Sequence, residues 1–191
     1  MTTARLAFEK VACLRGGRLL FEGRSFALEP GQAGLLTGPN GVGKSSLLRM
    51  AAGLLAPAAG QIERAGGIAF TAEAAALDAR DPLETALRFW AKLDGGNRDD
   101  VARAMAAMAI APLAQVPVRM LSTGQRKRAV LARVIAGRAG IWLLDEPGNG
   151  LDTASLERLA AAMAAHRAAG GIVLAATHQP LGLAAPLEIS L

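Results

Sequence analysis

Gly38-Pro39-Asn40-Gly41-Val42-Gly43-Lys44-Ser45 is the stretch whose reading decides the fold. It fits G-x-x-x-x-G-K-[ST], the phosphate-binding loop. The apolar run Ala33-Gly34-Leu35-Leu36-Thr37 leads into it and predicts a buried strand. From Ser45 to Ala52 the pattern is helical, with Leu47, Leu48 and Ala51 on one face. A strand, a glycine-rich turn and a helix form the context in which this motif acts. Glycines let successive backbone N–H groups turn toward one centre and form an anion nest. The helix N-terminus adds partial positive charge. Lys44 is placed to reach the β- and γ-phosphates, and the Ser45 hydroxyl to ligate Mg²⁺.

Composition sets the frame around this loop. A chain of 191 residues predicts one domain with a core of its own. Apolar residues make up 52%, many of them alanine, which favours helices. No uninterrupted apolar run reaches about 18 residues, so no transmembrane helix is expected. No apolar segment follows Met1-Thr2-Thr3-Ala4-Arg5, so no signal peptide is expected either. The single cysteine, Cys13, excludes an internal disulfide, fits a reducing cytoplasm, and reads as a small hydrophobe in a strand. The net charge of +5 is scattered, apart from Arg126-Lys127-Arg128. With no tyrosine to stack on bases, it reads as solubility and phosphate attraction, and nucleic acid is not an expected partner.

Taken in order, residues 4 to 30 predict a β-rich entry: Leu6, Phe8 and Val11, then Leu19-Leu20-Phe21, then Ser25-Phe26-Ala27-Leu28. Turn signals at Gly16-Gly17, Gly23 and Pro30-Gly31 separate these runs. Beyond the loop helix, Gln61-Ile62-Glu63 predicts a short strand and Ile68-Ala69-Phe70 a central one. Residues 74 to 118 turn alanine- and methionine-rich. Pro82 opens a helix carrying Leu83, Ala86, Leu87 and Trp90, Asp94-Gly95-Gly96-Asn97 breaks the chain, and a second helix runs from Arg98 to Met108. Met105 and Met108 read as packing. A helix from Arg126 to Ala136 follows Leu121-Ser122-Thr123-Gly124-Gln125. The wholly apolar Ile141-Trp142-Leu143-Leu144 must be covered on both faces, as in a parallel sheet. Thr153 is the expected cap of a helix bearing Leu156, Leu159, Ala160 and Met163, and His166 reads as a solvated residue on it. Ile172-Val173-Leu174-Ala175 predicts the next buried strand, ending at Thr177-His178.

A second chemical feature stands at the end of the 141–144 run. Asp145 lies where α/β sheets place ligand chemistry, and beside a phosphate loop such an aspartate serves Mg²⁺. Glu146, one residue further, is suited to orient or deprotonate a water aimed at the γ-phosphate.

The order of motifs resembles the ATP-binding subunit of ABC transporters: GPNGVGKS at 38–45, LSTGQ at 121–125, IWLLDEP at 141–147, NGLD at 149–152 and the histidine of ATHQ at 178. The resemblance spans nearly the whole chain. It implies an α/β fold: a P-loop NTPase core of ABC ATPase type, with a mainly parallel sheet flanked by helices. It also implies an N-terminal antiparallel β part and a helical subdomain, about 74–136, inserted in a single domain. By resemblance, Gly38, Pro39, Asn40, Gly41, Val42, Gly43, Lys44, Ser45 and Ser46 cradle ATP, and Ser45 and Asp145 serve Mg²⁺. Glu146 becomes the general base, and His178 senses the γ-phosphate. Ser122, Gly124 and Gln125 act in trans on the nucleotide of a second copy, which implies a head-to-tail homodimer closing two ATPs.

Two departures from the family pattern stand out. Glu73 aligns with a glutamine that normally touches Mg²⁺ and the membrane partner, so a carboxylate is the expected metal contact there. The adenine-stacking aromatic of the first hairpin is absent from Cys13-Leu14-Arg15-Gly16-Gly17-Arg18, which leaves Arg15 or Leu14 to cover the base.

The short helical part, the signature through Arg128, Ala12-Cys13-Leu14-Arg15, Leu87-Arg88-Phe89 and the Ala176–Leu181 end resemble the haem-exporter ATPases of cytochrome c maturation, CcmA-type. That implies membrane subunits on separate chains, and a peripheral position on the cytoplasmic face of the inner membrane. The alternatives are the ATPase of another ABC exporter, a nucleotide-binding subunit with negligible turnover, and a soluble ABC ATPase acting on ribosomes or DNA.

Overall fold

A computed structural model describes residues 4–71 and 77–191. Two sheets organise it. Strands β1 (Arg5–Arg15) and β2 (Arg18–Leu28) form an antiparallel hairpin turning at Gly16-Gly17, and β4 (Ala59–Ala65) joins the other edge of β1, in the order β2-β1-β4. Gly23 is no turn: it sits inside β2 with φ +66°, and bulges take up the irregular register of the hairpin. The register places Phe8 opposite Phe26, and their rings stack at 4.3 Å.

The second sheet is parallel, in the order β5-β6-β7-β3-β8. Its strands are β3 (Ala33–Thr37), β5 (Ile68–Thr71), β6 (Ile141–Asp145), β7 (Ile172–Ala176) and β8 (Leu187–Ser190). The apolar run of β6 reads continuously because both its faces are covered. Ile141 and Leu143 join Ile172, Leu174 and Leu36 against α1 (Lys44–Ala51) and the antiparallel sheet. Trp142 and Leu144 face the other way, into the helical core. That core is built from α2 (Leu83–Leu93), α3 (Arg98–Ala107), α4 (Thr123–Ala136) and α5 (Thr153–Ala168). Met105 and Met108 are buried in it.

Three further sequence expectations need correction. Ile68-Ala69-Phe70 forms an edge strand among the described ones, since β4 pairs with β1 and leaves β5 with β6 alone. The cap of α5 is Asp152, whose carboxylate accepts from the Ser155 N–H at 2.8 Å, and Thr153 is the first helical residue. His166 is half-buried instead of solvated. Its ring stacks on Trp142 at 3.9 Å and 8°, its Nε2 is buried without a hydrogen-bond partner among the described residues, and burial pushes its pKa down. Gly171 makes this possible, because a Cβ there would fall 2.2 Å from that nitrogen. The expected span of the helical insertion begins at residue 74, which like Glu73 lies outside the described residues; the first described helix of that part starts at Leu83.

Candidate nucleotide-binding site

The phosphate loop joins β3 to α1. Gly38, Gly41 and Gly43 all hold positive φ, a conformation in which L side chains are strained. Close approach adds a second constraint. A Cβ on Gly38 would stand 2.9 Å from the Leu191 carbonyl, and one on Gly43 would stand 2.9 Å from the Phe21 ring. Gly43 caps α1 without a side chain, so the first N–H groups of that helix have no side-chain acceptor at the cap. Lys44 is 7% exposed, and its Nζ donates to the carbonyls of Gly38 at 2.7 Å and Pro39 at 3.1 Å. The ammonium is thus fixed at the centre of its own loop.

The loop lines a cavity of about 260 Å³ with Asn40, Gly41, Gly43, Lys44, Ser45 and Ser46. Asp145 and Glu146 enter it from the end of β6, and Leu20 from β2. Ser45 and Asp145 are hard oxygen donors lining one cavity, the set that suits a magnesium ion shared with phosphate oxygens. Leu20 was not legible as a site residue. It falls at a register shift: Cys13 pairs with Phe21 and Leu14 with Leu19, which leaves Leu20 as the extra residue, and bulges re-aim side chains in this way. Leu14 and Arg15 do not line the cavity. Cys13 is fully buried beside Ser46, and burial pushes its thiol pKa up.

Glu146 has φ +45°, a costly conformation for a residue with a side chain, held by its N–H donating to the Ala176 carbonyl at 2.8 Å. Its Oε2 is buried with no hydrogen-bond partner among the described residues. Its Oε1 lies 3.5 Å from His178 Nε2. That same ring nitrogen is 2.7 Å from Asn40 Oδ1 and 3.3 Å from Lys44 Nζ. A cation, a carboxylate and an imidazole therefore converge on one point beside the glycine loop.

Ser122, Gly124 and Gln125 do not line this cavity, although Thr123 lines a neighbouring one of about 340 Å³ with Asp145 and Glu146. The arrangement of Ser122 and Gln125 serves α4. Ser122 Oγ accepts from the Gln125 N–H at 3.3 Å, and Gln125 Oε1 accepts from the Ser122 N–H at 2.9 Å, closing a capping box. The 149–152 turn is tied on two sides. Lys127 Nζ donates to the Asn149 carbonyl, and Gln179 Nε2 donates to Asn149 Oδ1 at 3.3 Å.

Residues 21–149 match the ABC transporter family. The chain is 58% identical over 181 residues to the cytochrome c biogenesis ATP-binding export protein CcmA of Sphingopyxis alaskensis, covering 95% of this chain and 93% of that one. It is 56% identical to the protein of the same name from Zymomonas mobilis, covering 98% and 85%. Among solved structures, an ATP-binding protein of a putative ABC transporter from Pyrococcus furiosus superposes with a TM-score of 0.83 at 22% identity, covering 98% and 97%. A putative metal-chelate type ABC transporter in an inward-facing conformation gives 0.78 at 24% identity, covering 99% of this chain and 79% of that one. At these identities the two likenesses establish the fold.

Proposed function

The chain belongs to the ABC transporter ATP-binding family, in the branch of the cytochrome c biogenesis ATP-binding export proteins, and on that premise we propose that it hydrolyses ATP to drive haem export through membrane subunits carried on other chains. The observation that carries the chemistry is the convergence of Lys44 and Glu146 on His178 Nε2, at 3.3 and 3.5 Å. Phosphoryl transfer to water needs positioning and charge neutralisation more than covalent chemistry. The loop N–H groups and Lys44 hold the triphosphate. Glu146 accepts the proton of the attacking water, through a carboxylate that lines the cavity beside the loop. His178 hydrogen-bonds the γ-phosphate and reports its presence to the 177–181 segment. Ser45 and Asp145 would hold Mg²⁺, which supplies neutralisation of the phosphate charge.

Ser122, Gly124 and Gln125 stand away from the cavity of their own chain, which supports a role on the nucleotide of a second copy. The N-terminus of α4 offers a dipole and N–H groups that suit a γ-phosphate. Two copies arranged head to tail then close two ATPs. The whole chain works as one ATPase domain, with the helical part, about 74–136, as its inserted unit. No described helix is long and apolar enough to cross a membrane, in keeping with a peripheral subunit on the cytoplasmic face of the inner membrane.

Fractionation tests this reading. Co-expression with haem-exporter membrane subunits is expected to move the chain into the membrane fraction, and omitting them to release it. Sedimentation with ribosomes or DNA, indifferent to those subunits, would contradict it.

A further inference from the structure

Thr71 ends β5, is 5% exposed, and pairs with Leu144 across the β5–β6 ladder. Its hydroxyl accepts from the Asp145 N–H at 3.2 Å and reaches the Leu143 carbonyl at 3.5 Å. One side chain thus staples two alternate residues of β6, at the point where that strand delivers Asp145 and then Glu146 to the cavity. The staple is itself held. Arg133 of α4 donates from Nη2 to the Phe70 carbonyl at 2.6 Å, which fixes the peptide that joins Phe70 to Thr71. That guanidinium is stacked over Trp90, 4.8 Å from the ring centroid.

We infer that Thr71 is a positioning residue for the carboxylate pair: its hydroxyl sets the direction of the last β6 peptide, and so of Asp145 and the strained Glu146. The need is physical. β5 is an edge strand, so nothing beyond it braces the end of β6 on that side among the described strands. Glu146 also departs from strand geometry at the very next residue, with φ +45°. A buried hydroxyl that both accepts and donates gives this junction one orientation, whereas a methyl of the same volume leaves it without a directional contact. Outer-shell partners of this kind typically alter metal affinity or activity by about 10–100-fold.

The inference rests on the magnesium–nucleotide reading of the site, and the test separates the two. Mn²⁺ binding to the full chain with saturating ADP is followed by electron paramagnetic resonance, with thermal unfolding in parallel. Thr71→Val is expected to bind Mn²⁺ about tenfold more weakly at a melting temperature close to wild type, and Thr71→Ser to restore affinity to within about twofold. Wild-type affinity in Thr71→Val would overturn the inference. So would an equal loss in Thr71→Ser, since packing of the methyl, not the hydroxyl, would then be at work. Failure of the wild-type chain to take up Mn²⁺ with ADP would overturn the underlying site assignment instead.

Discussion

The Nε2 of His178 lies 2.7 Å from the Oδ1 of Asn40, a contact across 138 positions of sequence that closes the switch segment onto the phosphate loop. It places the imidazole beside Lys44 Nζ, the group that must meet the phosphates. A triphosphate entering the loop therefore has to replace contacts the ring now makes.

From this geometry, His178→Ala separates binding from turnover. The variant loses the ring's contacts with Asn40 and Lys44 that nucleotide must displace. Equilibrium dialysis should find ATP affinity within about tenfold of wild type, since the lost γ-phosphate contact offsets the ring contacts that no longer have to be displaced. Phosphate release should fall by about 100-fold or more, because the group that orients the γ-phosphate is gone. Loss of ATP binding would show that the ring supports the loop instead of competing for it.

Gly43→Ala tests the loop's backbone. Alanine at φ +118°, with its Cβ 2.9 Å from Phe21, combines left-handed strain with overlap. A cost of about 2 kcal/mol is expected, seen as a melting temperature lower by about 4–8 °C, together with a loss of ATP retention. Unchanged melting and binding would mean that the loop adopts another conformation in solution.

The His166–Trp142 stack predicts a pH dependence. Burial holds the His166 pKa below its ordinary value, so the folded chain favours the neutral ring, while the unfolded chain takes up a proton near pH 6.5. The contribution is therefore complete above about pH 6.5 and is lost as pH falls below it toward the folded-state pKa, by at most about 1.4 kcal/mol per pH unit for one proton. Urea unfolding at pH 7.5 and 5.5 measures this. In a Trp90→Phe background, Trp142 is the only tryptophan and reports the stack directly. His166→Phe should flatten the slope, and an unchanged slope would assign the pH dependence to other groups.

What the sequence made legible, and what it hid, follows from the range of each signal. The phosphate loop and Ile141–Leu144 are local patterns with strong physics: a glycine spacing that only a nest requires, and an apolar run that only two covered faces explain. His166 falls on the face of α5 that Leu159 and Met163 mark as inward, at i+7 and i+3, and the expectation of solvation follows from histidine as a residue type instead of from its place on that face. The edge position of β5 depends on the choice of β4 to pair with β1, a long-range decision. Leu20 reaches the cavity through a bulge, and a bulge is a property of register between strands. The meeting of Asn40, Lys44, Glu146 and His178 joins three distant segments, and motif order could suggest it without fixing which atoms touch.

Glu146→Gln gives the most direct measurement of the central claim, that two copies close nucleotide between the glycine loop of one and the Ser122–Gln125 tip of the other. The amide keeps the side chain's shape and removes the proton acceptor, so hydrolysis should drop by about 100-fold or more while bound ATP persists. Sedimentation of this variant with magnesium and ATP is predicted to show a dimer retaining two nucleotides. A single copy without bound nucleotide, or hydrolysis at the wild-type rate, would contradict the account.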